Sequence, residues 1–398
     1  MSTIGGSCIS HRLTPSGPLR VAFFTGDFYP QQVGGQGIYA FEVVTRAAAL
    51  GLEMTVVCPS TPARLEHRYP KGVHVQFLRG APNALSYTGH LAPIQTRIMA
   101  NADVLHVNEL FGMSVSLLRS KRSGLVISSH NAYLDRFFAA QGVSKLKFLP
   151  LIALERLSYP RADRLIIGSE IERAPALRLG VNSARIALIP YGVEAARFAD
   201  TDHQMRTRTR ARLGIAEDAR VALFVGRSVK RKKPHVVARA FRALADEDPN
   251  FHGLLLGDGE MVPTVQDIIA GEPRVQQLGA VAFDDLPSYY AAADVFTLPS
   301  VGEGSISLAV LEAAAAGLPL VLTDDSGGQS AVFEPGRNGE VVRLDDAADL
   351  AAGLRRAFAR SGEYGARSRQ LVAEHFSWDA CARQTVACYE EVAPLPRS

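Results

Sequence analysis

Short apolar runs recur down this chain, each closed by turn residues, and helical periodicity fills the intervals between them. Residues 19–25, 54–58, 73–78, 104–107, 125–129 and 165–167 read as buried strands. Helical segments at 38–45, 113–118 and 146–157 alternate with them. The rhythm restarts with a strand at 221–225 and a helix at 234–244. It continues through strands at 253–256, 295–298 and 320–323 and an Ala-rich helix at 308–316. This is the pattern of doubly wound α/β domains. At 398 residues the chain exceeds one typical domain, so two Rossmann-like domains facing each other across a cleft are expected.

Residues 1–18 are polar and rich in Gly, Ser and Pro, with no apolar h-region, and read as a disordered tail, not a signal peptide. The first domain is expected over 19–195 and the second over 213–376. The stretch 191–212 is charged and poor in apolar periodicity, which puts a linker at 196–212. The final segment, 377–398, carries a helix around 378–390 with room to reach back over the first domain.

The net charge of +3, from 43 basic and 40 acidic residues, gives no case for nucleic-acid binding. Cys8, Cys58, Cys381 and Cys388 have no metal-like pairing and read as reduced thiols in a cytoplasmic protein. No run of 18 apolar residues exists to span a membrane. Surface attachment stays open. Arg119, Lys121 and Arg122, with Phe137, Phe138, Lys145, Lys147 and Phe148, can form a basic and aromatic membrane-facing patch, although ordinary solvated surface over core aromatics is the simpler reading.

Three strand-to-helix turns carry the chemistry. Gly34-Gly35-Gln36-Gly37 precedes a helix, where close backbone approach and unpaired amides suit an anion; a plain flexible turn competes with that reading. Arg227 ends the strand Phe224-Val225-Gly226, and Lys232 lies five residues on, so a planar fork and a mobile ammonium can converge on one diphosphate. Lys230, Arg231 and Lys233 are expected to face solvent. In the third turn, Glu303 and Gly304 lead through Ser305, Ile306, Ser307 and Leu308 into a helix that Ser305 or Ser307 can cap. Glu312 lies one turn inside that helix, suited to ribose hydroxyls or to an ordinary salt bridge. His130 and His106 end strands in the first domain, and either can reach the cleft. Neither pairs with Cys, Asp or another His at metal-ligand spacing, so no metal is expected.

Together these features resemble the retaining glycosyltransferases of GT-B architecture, specifically glycosyltransferase family 4. The resemblance rests on Val33-Gly34-Gly35, Ser129-His130, Ile189-Pro190-Tyr191-Gly192-Val193 and Phe224-Val225-Gly226-Arg227. It continues through Leu256-Gly257-Asp258-Gly259, Ala293-Asp294-Val295-Phe296, Pro299-Ser300 and Leu311-Glu312-Ala313. Gly317-Leu318-Pro319, Asn338-Gly339 and Phe376-Ser377-Trp378 complete an ordered series from about residue 20 to the C-terminus.

The resemblance implies metal-independent transfer of a sugar from a nucleotide-sugar, most often UDP-linked, to a hydroxyl acceptor with retention of configuration. The nucleotide-sugar is a cosubstrate, and no cofactor is implied. Arg227 and Lys232 match the pair that holds the diphosphate, Glu312 the ribose carboxylate, and His130 the histidine near the sugar's hydroxymethyl group. Gly34, Gly35 and Gln36 match the glycine loop near the phosphates. Gly257 and the turn Ser305, Ile306, Ser307 and Leu308 complete the expected donor contacts. Glu303 is the expected sugar-contacting carboxylate. The acceptor, a small molecule, lipid-linked group or saccharide, is expected mainly against the first domain, at a cytoplasmic site or peripherally at the inner membrane face. The rivals are an inactive nucleotide-sugar-binding module and a nucleotide-sugar epimerase. Three departures stand out: Glu303 and Glu312 enclose eight residues where the family has seven, Lys233 replaces a usual glycine, and Ala331 replaces a frequent acid.

Overall fold

The computed structural model describes residues 17–30, 34–61, 66–78, 84–109, 112–119, 122–130, 148–199, 203–324 and 327–394. Most of the expected tail lies outside these residues, as do Lys121, Phe137, Phe138, Lys145 and Lys147 of the basic and aromatic patch. Arg119, by contrast, is described and pinned to Asp163 through its Nη1 at 2.5 Å.

The first domain runs β1 (Arg20–Phe24), α1 (Gly35–Ala49), β2 (Glu53–Pro59), β3 (Val73–Leu78), α2 (Ala84–Ala100) and β4 (Val104–Asn108). It continues α3 (Met113–Leu118), β5 (Gly124–Ser129), α4 (Leu149–Ser158), β6 (Arg164–Ile167), α5 (Arg173–Arg178) and β7 (Ile186–Leu188). Then come α6 (Ala195–Ala199), α7 (His203–Arg212), β8 (Arg220–Val225), α8 (Pro234–Glu247), β9 (Phe251–Leu256), α9 (Val262–Ile269) and β10 (Val275–Gln277). The remainder is α10 (Leu286–Ala292), β11 (Val295–Leu298), α11 (Leu308–Ala315), β12 (Leu320–Thr323), β13 (Gly339–Val342), α12 (Ala347–Ala359), α13 (Ser361–His375) and α14 (Trp378–Val392).

Two wholly parallel sheets result, ordered β3-β2-β1-β4-β5-β6-β7 and β10-β9-β8-β11-β12-β13. Central strands β4, β5, β11 and β12 are buried at every position, which is why they read as unbroken apolar runs. Each sheet reverses its winding once, between β1 and β4 and between β8 and β11. Crevices for ligands open at the carboxyl ends of the strands at such reversals.

The expected linker is largely helical. Residues 195–199 and 203–212 form α6 and α7, and α7 packs on α10. Its apolar stripe is missing because arginine does the packing. Arg210 is fully buried, donating to the carbonyls of Ala216, Glu217, Ala219 and Ala292 and to Asp294 Oδ2 at 2.9 Å. The chain later returns to the first domain, where Val193 bridges Ser377 and donates to the Phe376 carbonyl. Helix α14 lies against α1, with Arg46 Nε 2.8 Å from Asp379 Oδ1 and the Tyr389 hydroxyl 2.6 Å from His106 Nδ1.

Candidate active site

Helix geometry and charge place the second domain's groups. Strand β8 ends at Val225, and the turn beyond it leaves Arg227 exposed. A 3-10 turn at Lys230–Lys232 then swings Lys232 inward, to 7% exposure. Its Nζ lies 2.8 Å from Glu303 Oε1, and Arg231 Nη1 reaches the same oxygen at 2.5 Å. Arg231 is thus part of this cluster and does not simply face solvent. The turn folds its side chain back over the β11 end, where its carbonyl also accepts from the Val301 amide. Burial holds Lys232 below the ordinary lysine range, with Glu303 opposing and the charges of Arg231 and Arg227 adding to the effect. Burial works to raise the Glu303 carboxyl, but the Lys232 and Arg231 charges outweigh it and bring it to about 2. Glu303 is therefore ionised at neutral pH.

Two glycines let this loop exist. Gly327 has φ +62, and a Cβ there would stand 2.2 Å from the Glu303 carbonyl, which accepts from the Gly328 amide. Gly257 has φ +125 and lies so close to the Gly226 carbonyl that a Cβ would fall 2.0 Å from it. Its place beneath Arg227 is one of backbone packing.

Neither serine caps α11 through its side chain. Ser307 occupies the N-cap without a side-chain bond, and its amide donates instead to Gln329 Oε1 at 3.0 Å. Ser305 Oγ turns away to the other domain and donates to Glu172 Oε2 at 3.0 Å. The Val310 and Leu311 amides donate to the Ser307 carbonyl, so the donors the start of α11 still offers are the Leu308 and Ala309 amides, which have no intrahelical partner. Ile306 and Leu308 are buried beside it, and a Cβ on Gly35 would meet Leu308 Cδ1 at 3.4 Å. The glycine loop of the first domain therefore lies against the start of α11. Gly34 is extended, and its amide donates to Asp27 Oδ2 at 3.2 Å. Glu312 is buried, accepts from the Tyr290 hydroxyl at 2.8 Å, and is raised by burial to about 7.

Across the cleft, His130 is buried, with Nε2–H donating to Asn108 Oδ1 at 2.5 Å and Nδ1 accepting from Tyr191 at 2.6 Å. Burial pushes its ring down to about 3, so it is a neutral, fixed imidazole. His106 serves the fold, lying between Tyr389 and Ser128 Oγ. Sequence reading missed Glu109, Glu172 and Tyr290, and gave Tyr191, within the quoted stretch 189–193, no role of its own. The available signal for Glu109 and Glu172 was position, since each follows closely on a strand's carboxyl end. Among the described residues, no group of three or more His, Cys, Asp or Glu is placed to hold a metal ion. No described helix is long and apolar enough to cross a membrane.

Two family models match in chain order, one described as Glycosyltransferase Family 4 over residues 33–197 and one as Glycosyl transferases group 1 over residues 219–360. The chain belongs to glycosyltransferase family 4. This family 4 enzyme is a retaining glycosyltransferase of GT-B fold that draws its sugar from a nucleotide-sugar. It is 29% identical to a D-inositol 3-phosphate glycosyltransferase of a Nocardioides species, over 92% of this chain and 86% of the relative. A protein of the same description from Geodermatophilus obscurus is 34% identical, over 58% of this chain and 53% of its own. Among solved structures, sucrose-phosphate synthase from Thermosynechococcus elongatus superposes with TM-score 0.81 at 22% identity, covering 94% of this chain and 98% of that one. Anabaena Alr3699/HepE in complex with UDP-glucose gives TM-score 0.75 at 20% identity, covering 94% and 100%. At such identities the two structures attest the fold alone.

Proposed function

We propose that the enzyme transfers a hexosyl group from a UDP-sugar to a hydroxyl acceptor on the front face of the sugar. The diphosphate rests between Arg227, Lys232 and the amides opening α11. Gly34, Gly35 and Gln36 close over it, and Gly257 gives the loop under Arg227 its close packing. Glu312 accepts the ribose hydroxyls. Glu303 reaches the sugar from the Lys232 cluster, and His130 presents a neutral ring toward its hydroxymethyl side. As the C–O bond to phosphate breaks, negative charge grows on the leaving oxygen, where the two cations and the helix amides stabilise it. The acceptor hydroxyl attacks the same face and passes its proton to that oxygen, leaving UDP and the glycoside. Domain closure keeps water from competing.

The observation that carries this reading is the buried Lys232–Glu303 pair beside exposed Arg227 at the β8 and β11 switch point. The UDP preference follows from the family resemblance; the Anabaena protein of like fold is one that was solved with UDP-glucose. A thermal-shift panel of nucleoside diphosphates should show UDP stabilising the protein most, and UDP release from UDP-sugars should identify the donor. Arg227→Ala should lower kcat by about 10²–10³-fold while moving stability by less than about 0.5 kcal/mol. Lys232→Ala should cost as much rate. Wild-type UDP release in both variants would remove the assignment.

A further inference from the structure

The turn that brings Lys232 inward carries a second cation with no part yet in the reaction. Arg231 and Lys232 both meet Oε1 of Glu303, through Nη1 at 2.5 Å and Nζ at 2.8 Å. Lys232 and Glu303 are buried, whereas the Arg231 side chain stays 30% exposed. The Arg231 backbone is fastened to the same loop, since its carbonyl accepts from the Val301 amide at 3.1 Å. Beyond Lys232, left-handed Lys233 closes the turn, its amide donating to the Lys230 carbonyl at 3.2 Å and its Nζ lying 2.8 Å from Asp345 Oδ2. Arg231 is therefore tied to the Glu303 loop by backbone and side chain, while the Lys232 ammonium ends a flexible four-carbon stem.

We propose that Arg231 is a positioning residue that keeps Glu303 in place while Lys232 exchanges the carboxylate for the donor's diphosphate. The inference rests on the donor site proposed above, which puts the diphosphate on Lys232 and the sugar on Glu303. In the unliganded protein the Lys232 charge is already met by Glu303. An arriving diphosphate draws the ammonium toward itself and sets phosphate and carboxylate side by side around one cation. Without a second cation the buried carboxylate has to take up a proton, swing away from the sugar or hold Lys232 back from the phosphate. A guanidinium, charged throughout the working pH range, removes that conflict, since it is already seated on Oε1. Glu303 then stays an acceptor for sugar hydroxyls on both oxygens, and Lys232 is released to the leaving group.

Isothermal titration of the full chain with UDP, which carries the diphosphate without the sugar, separates this role from a merely structural one. Arg231→Met should weaken UDP binding at least about tenfold, because Glu303 then keeps Lys232 for itself. In a Glu303→Gln background, where no carboxylate competes for Lys232, the same substitution should weaken it less than about threefold. The guanidinium meets Glu303 through Nη1, so a point charge can stand in, and Arg231→Lys should bind UDP within about threefold of wild type. Thermal unfolding checks the fold of each variant, and Arg231→Gln replaces Arg231→Met if that protein does not fold. Equal losses in both backgrounds overturn the proposal, since Arg231 would then act on the diphosphate directly or merely prop the turn. No loss in either background, or no recovery in Arg231→Lys, overturns it as well. Failure of the donor reading shows separately, as a wild type that binds no UDP, and takes this proposal with it.

Discussion

Glu312 sits inside a helix of alanine and leucine, closed off from water and hydrogen-bonded by Tyr290. Burial raises its carboxyl to about 7, so at neutral pH the proton is about half in place. A carboxyl whose folded value lies above its unfolded one stabilises the unliganded fold most at low pH. That contribution is full below the ordinary glutamate value of about 4.3 and is lost as pH rises through about 7. Ribose hydroxyls donate better to a carboxylate than to the acid. Nucleotide binding should therefore expel the proton, and affinity should weaken as pH drops below about 7, approaching tenfold per unit. Calorimetry of UDP binding near pH 7 in buffers of different ionisation enthalpy should find about half a proton released per UDP. Glu312→Gln should abolish that release. If the variant releases as much as wild type, the ribose role belongs elsewhere. Lys233 shows the opposite economy: it holds φ 54 and ψ 38 where a glycine is usual in the family, and its Nζ reaches Asp345 Oδ2 at 2.8 Å. Left-handed backbone at a lysine costs about 1–2 kcal/mol, and that ion pair offsets part of the strain.

At the scale of elements, α7 shows where helix and linker become indistinguishable from residues alone. His203 to Arg212 offers no apolar stripe, yet Arg210 enters the interior and ties four carbonyls and Asp294 together, while Arg206 Nη2 holds the other Asp294 oxygen at 2.6 Å. Arg210→Met should destabilise the second domain by about 3–5 kcal/mol in urea denaturation, because Asp294 and the carbonyls lose a buried partner. Arg208→Ala, on the exposed side, should shift it by less than about 0.5 kcal/mol. Equal effects would show that Arg210 is not what fastens the helix. The central strands were legible because they are buried on both faces. Short edge strands such as Val275-Gln276-Gln277 and Gly339-Glu340-Val341-Val342 mix polar residues into three or four positions and leave no comparable signature. The site divides in the same way. Arg227, Lys232 and Glu312 follow from place along strand and helix, whereas the Arg231 pairing with Glu303 and the turning of Ser305 away from its cap arise only when distant loops meet.

For the whole molecule, the decisive contact spans the two domains. After β6, Glu172 Oε2 accepts from the Gly168 amide at 2.7 Å and from Ser305 Oγ at 3.0 Å, and Ser169 Oγ donates to the Gly304 carbonyl at 2.5 Å. The loop that begins α11 is thus fastened to the first domain through a carboxyl that burial, above all, raises to about 7, against hydrogen bonds from Gly168, Ser305 and Ser169 and with Glu109 adding to the rise. Tyr159 and Tyr191 also feel its charge. Separating the domains would hydrate Glu172 and return it toward about 4.3. Between these values the closed form binds more protons than the open one, so closure is favoured at low pH and relaxes as pH rises through about 7. The full shift corresponds to no more than about 4 kcal/mol, enough to move a closure equilibrium from mostly closed to mostly open. In small-angle scattering of the unliganded protein, the radius of gyration should grow between about pH 4.5 and about pH 7.5, the span between the two values. UDP, by bridging Arg227 and Lys232 to the glycine loop, should cancel the growth. Glu172→Gln, which stays uncharged and still accepts from Ser305, should remain compact at both pH values. A pH-dependent expansion of equal size in that variant would mean that another group governs closure.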